Sequence, residues 1–206
     1  MKTFDFLKKQ REEIGKFITE TYISDEEKIV SYSNSKKYKI EITTYNVNGS
    51  LNDGSEYNHT YMNGKIFNEG REIYNVNGTT CYFYEWLEID DSNCYLLCSE
   101  YYQGYGILNL NTLEYRFHFP EEALDGIGFI WTKGYLSPDK CKLAVEGCIW
   151  GGPYQIKIFN IKNPMDIPYA LIKETNWDDD YDVIDGWLNN NEFVYISNNK
   201  SKSILI

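Results

Sequence analysis

The stretch from Tyr135 to Pro164 constrains the fold more than any other, because it sets strand, turn and strand in direct succession. Ser137-Pro138-Asp139 fits a type I turn: proline fixes φ at the second position, and the Ser137 side chain is placed to bond the backbone ahead of it. After Gly151-Gly152-Pro153, Tyr154, Ile156 and Ile158 alternate with Gln155 and Lys157, the period of two that a half-buried strand requires. The expectation is a meander of antiparallel strands. This grammar speaks to architecture, and says little about chemistry.

Composition extends the reading to the whole chain. Among 206 residues there are 19 tyrosines, 10 phenylalanines and 5 tryptophans but only 5 prolines. Such a supply of aromatic strand formers argues against disorder and predicts one domain over 1–206. The formal charge of -11 would repel a phosphate backbone over most of the surface, which excludes nucleic acid as a partner. It serves solubility, or an acidic face for a basic partner. The N-terminal residues carry Asp5, Lys8, Lys9 and Arg11 with no apolar run of signal-peptide length, and no segment approaches the ~18 apolar residues of a membrane span. The expected setting is cytoplasmic, with no membrane contact.

Cys81, Cys94, Cys98, Cys141 and Cys148 are odd in number and show no paired CxxC spacing, so no disulfide framework is expected. Cys94 and Cys98 would share a strand face and offer zinc ligands if His59 or His118 approached. Buried free cysteine is the commoner state of such residues, and the expectation is no metal and no cofactor.

The chain falls into three regions. Phe4, Leu7, Ile14, Phe17 and Ile18 recur at helical intervals, predicting an amphipathic helix over 3–20 that covers an edge or end of a sheet or, alternatively, binds a partner. An irregular β unit over 25–80 follows. Within it Asn63-Gly64 reads as a hairpin, and Asn48-Gly49, Asp53-Gly54 and Asn77-Gly78 as further reversals. The rest, 81–206, reads as blade-like meanders. Trp86, Trp131 and Trp187 each precede a turn (Asp90 to Asn93, Ser137 to Asp139, Asn189 to Asn191) and then a strand, at a spacing near the ~40 to 50 residues of a four-stranded propeller blade.

Ser137-Pro138-Asp139-Lys140 followed by Leu143-Ala144-Val145 resembles the turn and second strand of a β-propeller blade of the WD-repeat-like kind. The stretches Glu100 to Tyr105 and Gly147 to Tyr154 resemble motifs of uncharacterised bacterial proteins. Gly-His and Trp-Asp pairs do not open and close the blades, and Trp177-Asp178 sits in a polar loop. The resemblance implies an all-β fold with an N-terminal helix, its antiparallel meanders arranged as an open or incomplete propeller. The alternative is one large twisted antiparallel sheet. Closure into a ring and oligomeric state stay open, since a ring needs about four blades.

In an up-and-down blade, the hairpin between second and third strands emerges at the same end as the connection to the next blade. That end would gather Tyr101, Tyr102, Gln103, Trp150, Tyr154 and Trp177 with Glu121, Glu122, Asp125, Asp178, Asp179 and Asp180. Loop aromatics ringed by acids suit a basic protein, a cationic group or a sugar face. Equally, they fold back as lids on the sheet. Asp178 to Asp182 with Asp185-Gly186 suggests calcium but lacks the glycine and glutamate of an EF-hand loop.

Catalytic signals are weak. Glu85, Glu88, Glu100 and Glu146 are strand carboxylates, and no GxSxG elbow, phosphate loop, HExxH or nucleotide fingerprint is present. No catalytic residue is assigned. The reading is a non-catalytic protein-binding module, an inhibitor or neutraliser of a basic partner. The alternative is a small carbohydrate-binding protein or glycoside-type hydrolase using the same rim, with Glu100 or Asp125 as the acid.

Overall fold

The structure is a computed structural model and describes residues 2–50, 53–79, 83–150, 152–175 and 183–206. The chain divides into two compact units, one comprising Met1–Tyr82 with Glu100–Tyr102, the other Phe83–Ser99 with Gln103–Ile206. Among the described residues the strands form four separate antiparallel sheets, each running in chain order. One large twisted sheet is thereby excluded.

The first unit opens with helix α1 (Lys2–Phe17), followed by a meander of β1 (Ile29–Tyr32), β2 (Tyr38–Ser50), β3 (Glu56–Asn68) and β4 (Arg71–Thr79). The apolar stripe of α1 turns inward: Ile14 is buried and Phe17 stacks on Tyr61 of β3 at 5.0 Å. The helix packs against β4, an edge strand. Where an irregular unit was expected there is a regular meander. Asn63-Gly64 is not a hairpin but the middle of β3, paired on both sides. The Asn63 amide is buried and donates to Asn77 Oδ1 at 2.6 Å, so an asparagine that signals a turn in a lone strand is satisfied here by its neighbour. Asn48-Gly49 and Asn77-Gly78 likewise lie inside strands, and the Tyr57 ring occupies the space a side chain on Gly49 would need. Of the expected reversals, Asp53-Gly54 connects β2 to β3, with Asp53 Oδ1 accepting from the Ser55 amide at 2.9 Å.

Glu100–Tyr102 groups with this unit. The Arg11 guanidinium makes two short bonds to the buried Glu100 carboxylate, at 2.6 and 2.7 Å, and Phe6 meets Tyr101 edge-on at 5.6 Å. Arg11→Ala leaves that carboxylate buried without its charge partner, and is expected to cost about 1–2 kcal/mol. Urea unfolding followed by circular dichroism measures the loss.

The second unit is built from three successive meanders. The first contains β5 (Tyr84–Glu88), β6 (Cys94–Cys98), β7 (Tyr105–Asn109) and β8 (Tyr115–His118). The second contains β9 (Phe129–Leu136), β10 (Lys142–Ile149), β11 (Tyr154–Asn160) and β12 (Ala170–Glu174). The third has β13 (Val183–Asn189), β14 (Glu192–Ser197) and β15 (Lys200–Leu205). Each is an up-and-down, blade-like sheet, and among the described residues the third has three strands where the others have four.

Local chemistry repeats from sheet to sheet. Each first hairpin turns on a side-chain oxygen: Asp90 Oδ1 accepts from the Ser92 amide at 2.8 Å, Asp139 Oδ1 from the Cys141 amide at 3.1 Å, and Asn189 Oδ1 from the Asn191 amide at 2.8 Å. Within Ser137 to Lys140 the expected turn closes through Lys140 N to Ser137 O at 2.9 Å. The end of each third strand returns to the start of the second, where Leu110, Ile161 and Ile206 donate to the carbonyls of Cys94, Cys141 and Asn191.

The tryptophans do not carry this repeat uniformly. Trp86 and Trp187 stand two residues before the last pair of their hairpins, whereas Trp131 stands five before its own.

The sheets pack face to face. Leu97, Ile107, Trp131, Leu143 and Phe159 fill the layer between the first and second, while Ala144, Ile156, Ile158, Phe193 and Ile204 fill that between the second and third. Their first strands are bonded side to side: Gly134 N of β9 donates to Glu85 Oε1 of β5 at 3.2 Å, and Trp187 Nε1 of β13 donates to Tyr135 O of β9 at 2.7 Å. First strands gathered together with the remaining strands leading away is the arrangement of an incomplete propeller. Cys94 and Cys98 are buried. No helix among the described residues is long and apolar enough to cross a membrane.

Candidate functional site

Two loops meet at one end of the second unit. The β8–β9 connection begins at Pro120, makes a 3-10 turn over Glu121–Asp125, and is closed by Gly126 in the left-handed conformation at φ 76°. Gly126 N donates to Ala123 O at 3.2 Å, which buries Ala123 and turns Leu124 and Ile127 outward between the exposed Glu121, Glu122 and Asp125. The second loop is the β10–β11 hairpin. Its base is the Ile149–Phe129 pair, which brings Trp150 to the strand end where Ile127 and Gly128 enter β9. Trp150 is 70% exposed and Tyr154 49%.

The remaining expected rim residues are placed differently. Gln103 is fully buried and braces the loop above it: Nε2 donates to Gly126 O at 2.8 Å, and its Cβ stands 3.1 Å from where a side chain on Gly128 would begin. Polar type and loop position suggested exposure, but the inter-blade connection crosses directly over it. Gln155 plays the corresponding part in the second sheet, bonding Thr175 O at 3.4 Å.

Tyr101 and Tyr102 are half-buried in the first unit, their rings 4.3 Å apart with Tyr101 against Phe6 of α1. Burial, and after it the hydrogen bond with Tyr102, pushes the Tyr101 phenol above its ordinary range. Trp177, Asp178, Asp179 and Asp180, with the calcium reading that used them, lie outside the described residues.

Sequence reasoning missed Leu124 and Ile127, whose apolar character among three acids was the available signal. It also missed a cleft. Between the first two sheets, Trp131 stacks on Tyr105 at 4.2 Å and on Phe159 at 5.0 Å, and Tyr105 stacks on Tyr169 at 5.3 Å. Beside this stack lies a cavity of about 150 Å³ whose lining includes Glu122, Phe129 and Lys157. The Lys157 ammonium lies 4.6 Å from the Phe129 ring centre and 3.0 Å from the Glu174 carboxylate. The hydroxyl of Tyr105 accepts from Tyr169 N at 2.8 Å, and burial pushes its pKa up to about 12. Burial likewise holds the His118 imidazole below its ordinary value, against the pull of Glu122.

The candidate acids have structural engagements. Glu100 is paired with Arg11, and Glu146 accepts from the Tyr135 hydroxyl at 3.3 Å. Glu85 accepts from Gly134 N, while burial raises its pKa. Among the described residues no three His, Cys, Asp or Glu side chains are grouped to hold a metal ion.

No family model matches the chain. It is similar to an uncharacterized protein of Acanthamoeba polyphaga mimivirus, at 28% identity over 174 residues, covering 81% of this chain and 65% of that protein's length. Among solved structures it is similar to the β-propeller domain of Swd1 from Myceliophteria thermophila, with a TM-score of 0.45 and 10% identity over 86% of this chain and 69% of that one. The blade-like description rests on the strand pairing given above.

Proposed function

We propose that the chain is a non-catalytic protein-binding module, and that the β8–β9 and β10–β11 end of its second unit takes a basic protein partner. The observation that carries this reading is Trp150, a large aromatic left 70% exposed on a hairpin, beside Ile127 at 57% and Tyr154 at 49%. Exposed aromatic and apolar side chains grouped within a polar surround are the usual anchors of protein interfaces. Glu121, Glu122 and Asp125 supply the acidic surround, and the net charge of -11 favours approach by a cationic surface.

The test compares wild type with a Trp150→Ala, Tyr154→Ala double variant, both immobilised and exposed to extract of the source cell, with captured proteins identified and their affinities measured. The expected result is one dominant basic partner whose affinity falls about 100-fold or more in the double variant, with unfolding by urea unchanged. Undiminished affinity of the double variant, or an acidic partner, would overturn the reading.

A further inference from the structure

Strand β1 leaves an unprotected edge on the sheet of the first unit. Among the described strands it pairs with β2 alone, and Ser33 N donating to Tyr38 O at 3.0 Å sets the phase of that ladder. Bonded and non-bonded pairs alternate between antiparallel strands, so Ile29 and Ser31 turn their backbone groups toward β2 while Val30 and Tyr32 turn theirs outward. The Val30 and Tyr32 side chains are 47% and 55% exposed, with Ile29 half-exposed beside them. Proteins blunt such edges with charges, bulges or a covering element. Of the other outer edges, β8 carries Arg116, β12 carries Lys173 and Glu174, β15 carries Lys200 and Lys202, and β4 packs against α1. The β1 sequence Ile-Val-Ser-Tyr bears no charge, and its register with β2 is unbroken.

Charge flanks this edge unevenly. Asp25, Glu26 and Glu27 precede β1, and Lys36 and Lys37 stand in the turn that follows it, all of them exposed. Two β1 strands running antiparallel about a two-fold axis at Ser31 would set Val30 of each against Tyr32 of the other. Because these residues point their backbone groups outward, each becomes a bonded pair that also joins an aliphatic side chain to an aromatic one. The same axis carries the acids of each copy toward the lysines of the other. A parallel arrangement would bring acids to acids and lysines to lysines.

We propose that β1 is a self-association edge, through which two copies of this chain join their first-unit sheets into one continuous antiparallel sheet. The occupant is a second copy because the edge is self-complementary in backbone phase, in side-chain pairing and in charge, as an isologous contact requires. This contact uses none of the residues of the partner-binding reading above, and the two stand or fall separately.

The experiment is sedimentation equilibrium of the full chain from about 1 μM to 1 mM, where a monomer–dimer equilibrium with Kd on the order of 10–100 μM is expected for so small a contact. Val30→Lys places a charge on the exposed edge and should weaken association about tenfold or more, with the far-ultraviolet circular dichroism unchanged. Charge reversal gives the sharper test, since it touches exposed residues alone. Asp25→Lys with Glu26→Lys, and separately Lys36→Glu with Lys37→Glu, should each weaken self-association about tenfold. Mixing the two double variants should restore dimers at wild-type affinity, because acids then face lysines at both ends of the paired strands. A chain that stays monomeric throughout, a dimer indifferent to Val30→Lys, or a mixture that associates no better than either double variant alone overturns the proposal.

Discussion

Trp131→Ala is expected to lower stability by about 3–5 kcal/mol, the range for truncating a buried aromatic side chain. Trp131 is 5% exposed and sits where the first two sheets of the second unit meet. It stacks on Tyr105 at 4.2 Å and Phe159 at 5.0 Å and meets Phe83 edge-on at 6.0 Å. Each such pair adds roughly 0.5–1.5 kcal/mol beyond the area it buries, and the rings left behind are braced by β7 and β11 and cannot close the gap. Against a total stability of about 5–15 kcal/mol for a folded domain, the loss leaves little margin. Urea denaturation monitored by far-ultraviolet circular dichroism measures it. A change below ~1 kcal/mol would mean that these sheets are not packed through this stack. Trp131→Phe keeps a ring in place and is expected to lose less.

Gly147→Ala should cost about 1–3 kcal/mol, although it adds a single methyl group. Gly147 lies on β10 at the bulge where its pairing with β9 shifts register. A Cβ there would run into the backbone carbonyl of Ile130 and come within 2.7 Å of the Phe129 ring. A flexible side chain would move aside, but a carbonyl held in a sheet moves only if the strand moves. Phe129 forms a wall of the aromatic cavity, and β10 leads into the hairpin carrying Trp150. By contrast, Gly15→Ala in α1 meets nothing within 4 Å and is expected to stabilise by about 1 kcal/mol. Thermal melts of the two variants should move in opposite directions, and a Gly147→Ala protein as stable as wild type would contradict the close approach of β9 and β10.

The strands of the second unit were legible because their signals are local. Alternation in Tyr154 to Ile158 and the Ser137-Pro138-Asp139 turn act over a few residues, and the structure repeats them with Asp90 and Asn189 in the neighbouring sheets. Asn-Gly pairs misled in the first unit for the converse reason. A turn preference of that kind is overridden once both flanking strands pair and the amide finds a side-chain partner, as Asn63 does with Asn77. Burial was least legible in the loops. Gln103 and Trp150 occupy comparable hairpins and carry comparable promise of contact, yet one is fully buried and the other 70% exposed.

From its residues alone this chain determined an antiparallel, turn-punctuated, aromatic-rich architecture led by a covering helix, together with an acidic surface. Periodicity, turn chemistry and net charge are properties of neighbouring residues or of the whole composition, and need no fold to be read. Only the tertiary structure decided that the strands divide into separate sheets, that Tyr101 faces Phe6 while Trp150 faces solvent, and that a cavity opens between two stacked sheets. Those outcomes depend on which element crosses over which, a matter settled by packing between residues far apart in the chain.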